Sequence, residues 1–178
     1  PIRLAKQKLK ERDDSVFLPA DFDFYSDTSE RSMKIIKEFA DIFEYVGRDE
    51  AYLDVSKKTE GNFIKASHIG QQIKNLIRKK IKLTCSVGVS HNKLLSKIAS
   101  DYKKPDGLTI VTPDTVSKFM ETIEIRDIPG IGKKTQEKLE EKGVKTISKV
   151  KEMGIFDLVQ MFGRKTGTYI FNSVRGID

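Results

Sequence analysis

The chain has 178 residues, of which 38% are hydrophobic and 33% charged, a balance typical of a soluble globular protein with one large or two small domains. Its net charge of +7 favours acidic partners such as nucleic acid or anionic membrane surfaces. No apolar run approaches the roughly 20 residues of a membrane-spanning helix and no signal peptide is evident, so we expect no membrane insertion and a cytoplasmic location. Cys85 is the single cysteine, which excludes an intramolecular disulfide, and its apolar surroundings predict a buried thiol.

Hydrophobic spacing predicts alternating helices and strands up to about residue 122. The first elements are an amphipathic helix at 2–12, a short strand or extended segment at 16–18 and a loop at 21–27. A helix follows at 28–40, capped by Thr28 or Ser29, and then a hairpin with strands at 42–46 and 50–55 around a Gly47-Arg48 turn. The next are a helix at 66–80, a strand at 82–89, a helix beginning at Ser90 or Asn92, a turn at 105–107, a strand at 108–111, and a helix from Thr112-Pro113 to about Thr122.

Beyond this point the pattern changes, because only helices and glycine turns are predicted. A boundary is therefore expected within residues 122–127. The pattern predicts an α+β fold, with a mostly antiparallel sheet and packed helices in the first part and a small all-helical domain in the second.

The second part opens with a glycine motif, Ile128-Pro129-Gly130-Ile131-Gly132. Two glycines two residues apart permit a tight turn without a Cβ clash, and Ile131 between them can point into the core. A helix is predicted from Lys133 to Lys142, and Gly143 ends it. The segment 144–150 is predicted to begin the next helix, which starts after Thr146. This order is typical of a helix-hairpin-helix.

Such a turn suits a DNA phosphate, because unpaired backbone N–H groups at a glycine turn and at a helix N-terminus carry partial positive charge. Residues 132–152 add seven lysines against four glutamates. The predicted contacts, which position a protein without reading sequence, are Gly130, Ile131, Gly132, Lys133 and Lys134. The alternative is an ordinary helical hairpin. A weaker glycine motif at 162–167 is either a second pseudo-hairpin or a plain helix break.

Two adjacent carboxylates, Asp49 and Glu50, stand at the predicted hairpin turn. The pleat is distorted beside a turn, so both side chains can reach one cation. Magnesium prefers oxygen ligands, and two such ions about 4 Å apart activate and stabilise the reacting oxygens in phosphoryl transfer. The alternative is a solvated surface pair.

The chain resembles the Y family of lesion-bypass DNA polymerases, notably the polymerase IV type. The segment 49–54, Asp-Glu-Ala-Tyr-Leu-Asp, is similar to the palm motif of that family. The segments 86–93 and 97–101 resemble its next strand-helix unit. The segment 103–107 resembles its lysine-proline turn, and 128–132 its thumb hairpin. These motifs occur in the family's order.

The resemblance implies a division into the end of the fingers at 1–18, an incomplete palm at 19–122 and a helix-hairpin-helix thumb at 123–178. It implies that Asp49 bridges two Mg²⁺ ions, that Glu50 binds the ion at the primer 3′-oxygen, and that Lys104 contacts the incoming deoxynucleoside triphosphate. Lys97 is expected as a further basic contact to DNA. The implied partner is primer-template DNA, and the implied activity is translesion synthesis during DNA repair. A sliding clamp is expected to bind through regions outside this sequence.

The sequence departs from the family pattern in two places. Gly47 and Arg48 replace the usual serine and apolar residue, and Arg48 either pairs with a carboxylate or faces solvent. The family's first palm strand, with its third metal carboxylate, is not found. Asp21 and Asp23 imitate that motif, but their place in the order predicts that they are not metal ligands.

We therefore expect the 178-residue chain by itself to bind DNA weakly and not to extend a primer. Two other interpretations are a non-catalytic DNA-binding accessory module and a nuclease or ligase subunit. The 49–54 motif favours the polymerase over the nuclease or ligase.

Overall fold

The computed structural model describes residues 1–178. The helices are α1 (Ile2–Lys8), α2 (Phe22–Lys37), α3 (Ser56–Thr59), α4 (Phe63–Ile81), α5 (Lys93–Tyr102), α6 (Val116–Met120), α7 (Lys133–Glu140), α8 (Ile147–Glu152) and α9 (Ile155–Ser173). The strands are β1 (Ile42–Gly47), β2 (Glu50–Asp54), β3 (Val87–Val89) and β4 (Leu108–Ile110), and single 3₁₀ turns lie at Pro113–Thr115 and Ile125–Asp127. None of the helices combines the length and apolar character needed to cross a bilayer.

The four strands form two separate pairs. β1 and β2 make the predicted antiparallel hairpin, with an irregularity between Tyr45 and Gly47. β3 and β4 run parallel, because α5 crosses over between them and returns the chain to the same end. The predicted α+β class is confirmed, and the parallel pair is an addition that the sequence did not predict.

Several predicted elements have different bounds in the structure. The helix predicted at 28–40 begins at Phe22, because the Asp21 carboxylate accepts a hydrogen bond from the backbone nitrogen of Phe24 at 3.0 Å and caps it. The loop predicted at 21–27 and the caps at Thr28 or Ser29 were therefore wrong. The helix at 2–12 ends at Lys8. No strand forms at 16–18, which has no pairing partner.

A small core joins the first two long helices to the hairpin. Ile35 of α2 packs with Ile73 and Ile77 of α4, and Leu53 of β2 lies against them. Cys85 also lies against this cluster, and burial raises the pKa of its thiol. The strand predicted at 82–89 is limited to Val87–Val89, since only those residues pair with β4.

The larger core extends across the predicted palm–thumb boundary. Leu94, Leu95 and Ile98 of α5 belong to the same buried cluster as residues of every helix from α6 to α9. The members after α5 are Met120, Ile123, Ile125, Ile128, Ile131, Leu139, Ile147, Val150, Leu158, Ile170 and Val174. The helical second part therefore packs directly on α5.

The second glycine motif bends α9 sharply. Gly163 has φ 80° and ψ 164°, which is not a helical conformation. A Cβ added to Gly167 would lie 2.5 Å from the Leu158 carbonyl oxygen, whereas nine residues of straight helix would separate such positions by about 13 Å. The two halves of α9 therefore fold back on each other, which favours the pseudo-hairpin over a plain helix break.

Candidate functional site

The acidic pair lies at the mouth of a cavity between the two strand pairs. Asp49 stands in the β1–β2 turn and is exposed, and Glu50 opens β2 and is partly buried. Both line a cavity of about 880 Å³ whose walls also include residues of β2, β3 and α4. The tight turn brings the two carboxylates to one cleft, as the sequence predicted.

Arg48, in the same turn, does not pair with these carboxylates. Its guanidinium lies 5.4 Å from the centre of the Phe22 ring, and its carbonyl oxygen accepts a hydrogen bond from the Ser29 hydroxyl. Both contacts tie the turn to α2. Arg48 therefore does not neutralise either carboxylate of the acidic pair.

A chain of ion pairs starts at Glu50. The Lys97 ammonium donates to Glu50 Oε1 and lies 3.3 Å from Asp101 Oδ2, one helical turn further along α5. Asp101 Oδ1 in turn lies 2.6 Å from the ammonium of Lys104. Lys97 and Lys104 line the same cavity as the acidic pair, and Asp101 links the two lysines from the neighbouring second cavity.

These contacts shift the pKa values of the network. Partial burial acts to lower the pKa of Lys97, but the hydrogen bond to Glu50 and the charge of Asp101 outweigh it and raise that pKa. Partial burial acts to raise the pKa of Asp101, but Lys104 and Lys97 lower it. Both groups therefore stay charged across the neutral range.

The donor set at the turn is suited to a magnesium ion that is shared with substrate. It comprises the two carboxylates of Asp49 and Glu50, and no cluster of three or more metal-ligating side chains exists in the chain. Magnesium in polymerase-type sites is held by one or two carboxylates together with substrate phosphates. The residues fit part of such a site.

The structure has a turn at 128–132, but only one of its two glycines adopts a conformation that favours glycine. Gly130 has φ +80°, a region that L-residues rarely adopt, and the Tyr169 hydroxyl of α9 donates to the Pro129 carbonyl oxygen beside it. Gly132 differs, because its backbone is extended and a Cβ there would meet nothing within 4 Å. The backbone conformation therefore explains a glycine at 130, but neither conformation nor packing gives a reason for one at 132.

The outer face of this turn presents free backbone donors. The N–H groups of Gly130, Gly132, Lys133 and Lys134 make no hydrogen bond within the chain. Ile131 is different, because its side chain is buried and its N–H donates to the Ile128 carbonyl oxygen at 3.0 Å. Ile131 shapes the turn from inside, and its four neighbours can face a phosphate.

Two exposed lysines follow at the start of α7. The side chain of Lys133 is 88% exposed, and its Nζ lies 3.5 Å from Glu137 Oε1. Such an exposed ion pair is weak, so the ammonium is available to a phosphate. Lys134 is also exposed. The predicted contacts thus cluster at one helix N-terminus, except for Lys97, which lies in the cleft.

Lys97 connects the two candidate sites. A second cavity of about 830 Å³ is lined on one side by Lys97 and Asp101 and on the other by the turn from Ile128 to Gly132. Lys97 also lines the first cavity, beside Glu50. The acidic pair and the glycine turn therefore open onto the two sides of one helix, α5.

Sequence reasoning did not single out Asp101 as a site residue. Its spacing carries a signal, because Lys97 and Lys104 stand four residues before and three residues after it. Residues at these spacings meet on a helix surface. The spacing indicates that Asp101 pairs with two lysines, but not that Lys97 also reaches Glu50.

Two family models match the chain. The model of the impB/mucB/samB family matches residues 1–101, and the model described as the DNA polymerase-iota thumb domain matches residues 126–178. The chain belongs to the impB/mucB/samB family. The resemblance to Y-family DNA polymerases is confirmed, and so is a helix-hairpin-helix thumb after the mixed first part.

Relatives with curated names extend this result. DNA polymerase IV of Nitrosopumilus maritimus is 64% identical over 178 residues, which are 100% of this chain and 49% of that protein. DNA polymerase IV 1 of Methanosarcina mazei is 41% identical over 170 residues, 93% of this chain and 47% of that protein. The chain spans about half the length of the curated relatives it matches.

Solved structures show the same fold. DinB from Sulfolobus solfataricus superimposes with a TM-score of 0.90 at 33% identity, over 99% of this chain and 51% of that one. An insertion ternary complex of Dbh DNA polymerase superimposes with a TM-score of 0.88, also at 33% identity, over 99% of this chain and 50% of that one.

Proposed function

We propose that the chain supplies palm and thumb parts of a DNA-directed DNA polymerase that performs translesion synthesis during DNA repair. The observation that carries the proposal is the position of α5, which has the acidic pair on one side and the glycine turn on the other. This arrangement can hold a nucleotide-binding metal site and a DNA phosphate at neighbouring places. Residues 1–18 are assigned to the end of the fingers, 19–122 to the palm and 123–178 to the thumb.

In this proposal Asp49 and Glu50 hold Mg²⁺ in the cleft. The ions, when bound, lower the pKa of the primer 3′-hydroxyl and offset the charge of the leaving pyrophosphate. Lys104 approaches the triphosphate from the same wall, since its side chain is 58% exposed and its ammonium is paired with Asp101. Its charge offsets that of the phosphates.

The thumb turn is proposed to hold primer-template DNA without reading its sequence. The free N–H groups at 130 and 132–134 point outward and suit a phosphate oxygen, and Lys133 and Lys134 add charge. Support comes from the similar Dbh structures, which were captured as binary and ternary complexes. A cytoplasmic location and recruitment by a sliding clamp through other regions complete the proposal.

Metal binding tests the polymerase proposal against a non-catalytic accessory module. Mn²⁺ titrated into the chain, followed by the electron paramagnetic resonance signal of the free ion, is expected to bind, and Asp49→Asn and Glu50→Gln are each expected to weaken binding more than tenfold. Glu44→Gln is the matched control, because Glu44 lies on the neighbouring strand and pairs with Lys93. Binding that is unchanged in both site variants would contradict a catalytic role.

A further inference from the structure

The Lys97 ammonium occupies the position at Glu50 that a cation would otherwise take. It donates to Glu50 Oε1, and its side chain is only 25% exposed. A divalent ion arriving at Glu50 has to compete with this ammonium, because both are attracted to the same carboxylate oxygens.

A second carboxylate for Lys97 is already in place. Asp101 Oδ2 lies 3.3 Å from Lys97 Nζ, and the two residues are four apart on α5. An ammonium has three donors, so it can leave Glu50 and remain paired with Asp101 through a change of side-chain rotamer alone. Asp101 is itself held at 2.6 Å by Lys104. The movement therefore needs no change of the backbone.

We propose that Lys97 is a positioning residue that holds Glu50 in the cleft before a divalent ion binds, and that Asp101 receives the ammonium when the ion takes its place. The proposal rests on the proposed function, in which Glu50 is a metal ligand. It gives Lys97 a role in metal loading, rather than the contact to DNA that the sequence predicted.

The balance of charges supports this exchange. Glu50 and Asp101 carry two negative charges and Lys97 and Lys104 carry two positive charges, so the network is neutral without a metal ion. A divalent ion at Glu50 repels the nearest ammonium, and Asp101 is the acidic side chain that this ammonium already contacts on its far side. The same ammonium thus keeps Glu50 paired while no ion is bound.

The test is the Mn²⁺ affinity of four variants of the chain. Lys97→Met removes the competitor and is expected to tighten Mn²⁺ binding about three- to fivefold, the size expected for losing one partly exposed ion pair. Asp101→Asn removes the alternative partner and is expected to weaken binding by about the same factor. Lys93→Met, on the same helix but paired with Glu44, controls for the loss of one positive charge.

The double variant Lys97→Met/Asp101→Asn separates positioning from simple charge. If Asp101 acts through Lys97, the double variant binds Mn²⁺ as tightly as Lys97→Met alone. If Asp101 merely adds negative potential, its full effect persists without Lys97, and the proposal is overturned. Lys97→Gln replaces the methionine variant if that one fails to fold.

The outcomes also separate this inference from the proposed function. If Asp49→Asn and Glu50→Gln leave Mn²⁺ binding unchanged, both fail together. If those variants abolish binding while Lys97→Met behaves as Lys93→Met does, only the positioning role is overturned. Opposite effects of Lys97→Met and Asp101→Asn, with Lys93→Met close to the unsubstituted chain, support it.

Discussion

Lys74 Nζ, on α4, lies 2.8 Å from the carbonyl oxygen of Asp106 and 2.5 Å from its Oδ1, so one buried ammonium holds both the backbone and the side chain of the turn that follows Lys104. The third donor of the ammonium meets the Cys85 carbonyl oxygen at 2.9 Å. All three donors of the ammonium are therefore satisfied, and these hydrogen bonds fix the turn that presents Lys104 to the cleft.

Lys74→Met is expected to lower the free energy of unfolding by about 2–3 kcal/mol, because it leaves the partly buried Cys85 carbonyl and the Asp106 turn without their donor. Urea unfolding followed by circular dichroism measures the change. Lys79→Met, at an exposed position of the same helix, is the control and is expected to change stability by less than about 0.5 kcal/mol. Equal effects of the two substitutions would show that Lys74 is not structurally important.

The Asp106 carboxyl makes stability depend on pH in the acidic range. The hydrogen bond from Lys74, together with the charge of Arg78, lowers the pKa of Asp106 below its usual value of 3.8. The resulting stabilisation is complete above that value and is lost as the pH falls through the lower pKa of the folded state. Asp106→Asn should therefore destabilise the chain at neutral pH and progressively less at acidic pH.

Urea unfolding of the unsubstituted chain and of Asp106→Asn between pH 7 and pH 2 measures the difference in their free energies of unfolding. Asp13→Asn is the control, because Asp13 is exposed and has no ion pair. A difference between Asp106→Asn and the unsubstituted chain that stays constant over the whole pH range would rule out the ion pair as its cause.

Gly88 sets the distance between β3 and the helix that carries Lys97. A Cβ there would overlap the Ser96 carbonyl oxygen and lie 2.5 Å from the Ser100 backbone nitrogen. Gly88→Ala is thus expected to destabilise the chain by more than about 2 kcal/mol, measured as a lower Tm. Gly47→Ala is the control, since a Cβ at 47 meets nothing within 4 Å. A Tm for Gly88→Ala equal to that of the control would contradict the close packing.

The two glycines of the thumb turn are expected to respond differently to substitution. Gly130→Ala should cost about 1–2 kcal/mol of stability, because φ is +80° there. Gly132→Val should leave stability unchanged but weaken binding of a labelled primer–template duplex roughly tenfold, because a side chain would block the free N–H groups. Fluorescence anisotropy and thermal unfolding measure the two effects. Unchanged DNA affinity in a folded Gly132→Val variant would argue against phosphate binding at this turn.

The basic residues of the turn should contribute charge but no sequence preference. Lys134→Ala is expected to weaken DNA binding for every duplex sequence and to reduce the slope of log affinity against log salt by about one. The control is Lys79→Ala on α4, which removes one positive charge at a position away from the turn. It should leave the slope nearly unchanged. A loss confined to one duplex sequence would contradict backbone binding.

Local features of the fold were predictable from the sequence. The β1–β2 hairpin follows from alternation on both sides of a glycine turn, and the start of α5 at Lys93 follows from Asn92, whose side chain accepts from the Leu95 nitrogen. The start of α2 was not predicted, because residues 21–27 were predicted to form a loop, although aspartate is itself a preferred cap. Each of these helix and hairpin boundaries depends on residues that are close in sequence.

Long-range contacts could not be predicted in the same way. Glu50 and Lys97 are 47 positions apart and meet only in the folded chain, in which α5 packs closely on β3 at Gly88. Asp49 and Glu50 were identified because their spacing is a local property. Lys97 was identified as basic, but its partner depends on the fold, and no pattern within α5 specifies it.

The core that α5 shares with α6–α9 has a mechanical consequence. Leu95 and Ile98 are fully buried in a cluster formed largely by thumb residues, while Lys97, between them in sequence, donates to Glu50. A rotation of the thumb that preserves this packing must carry α5 with it and so displace the Lys97 ammonium. Cooperative unfolding is likewise expected to include α5 together with the thumb, because most of the cluster that buries Leu95 and Ile98 lies beyond residue 122.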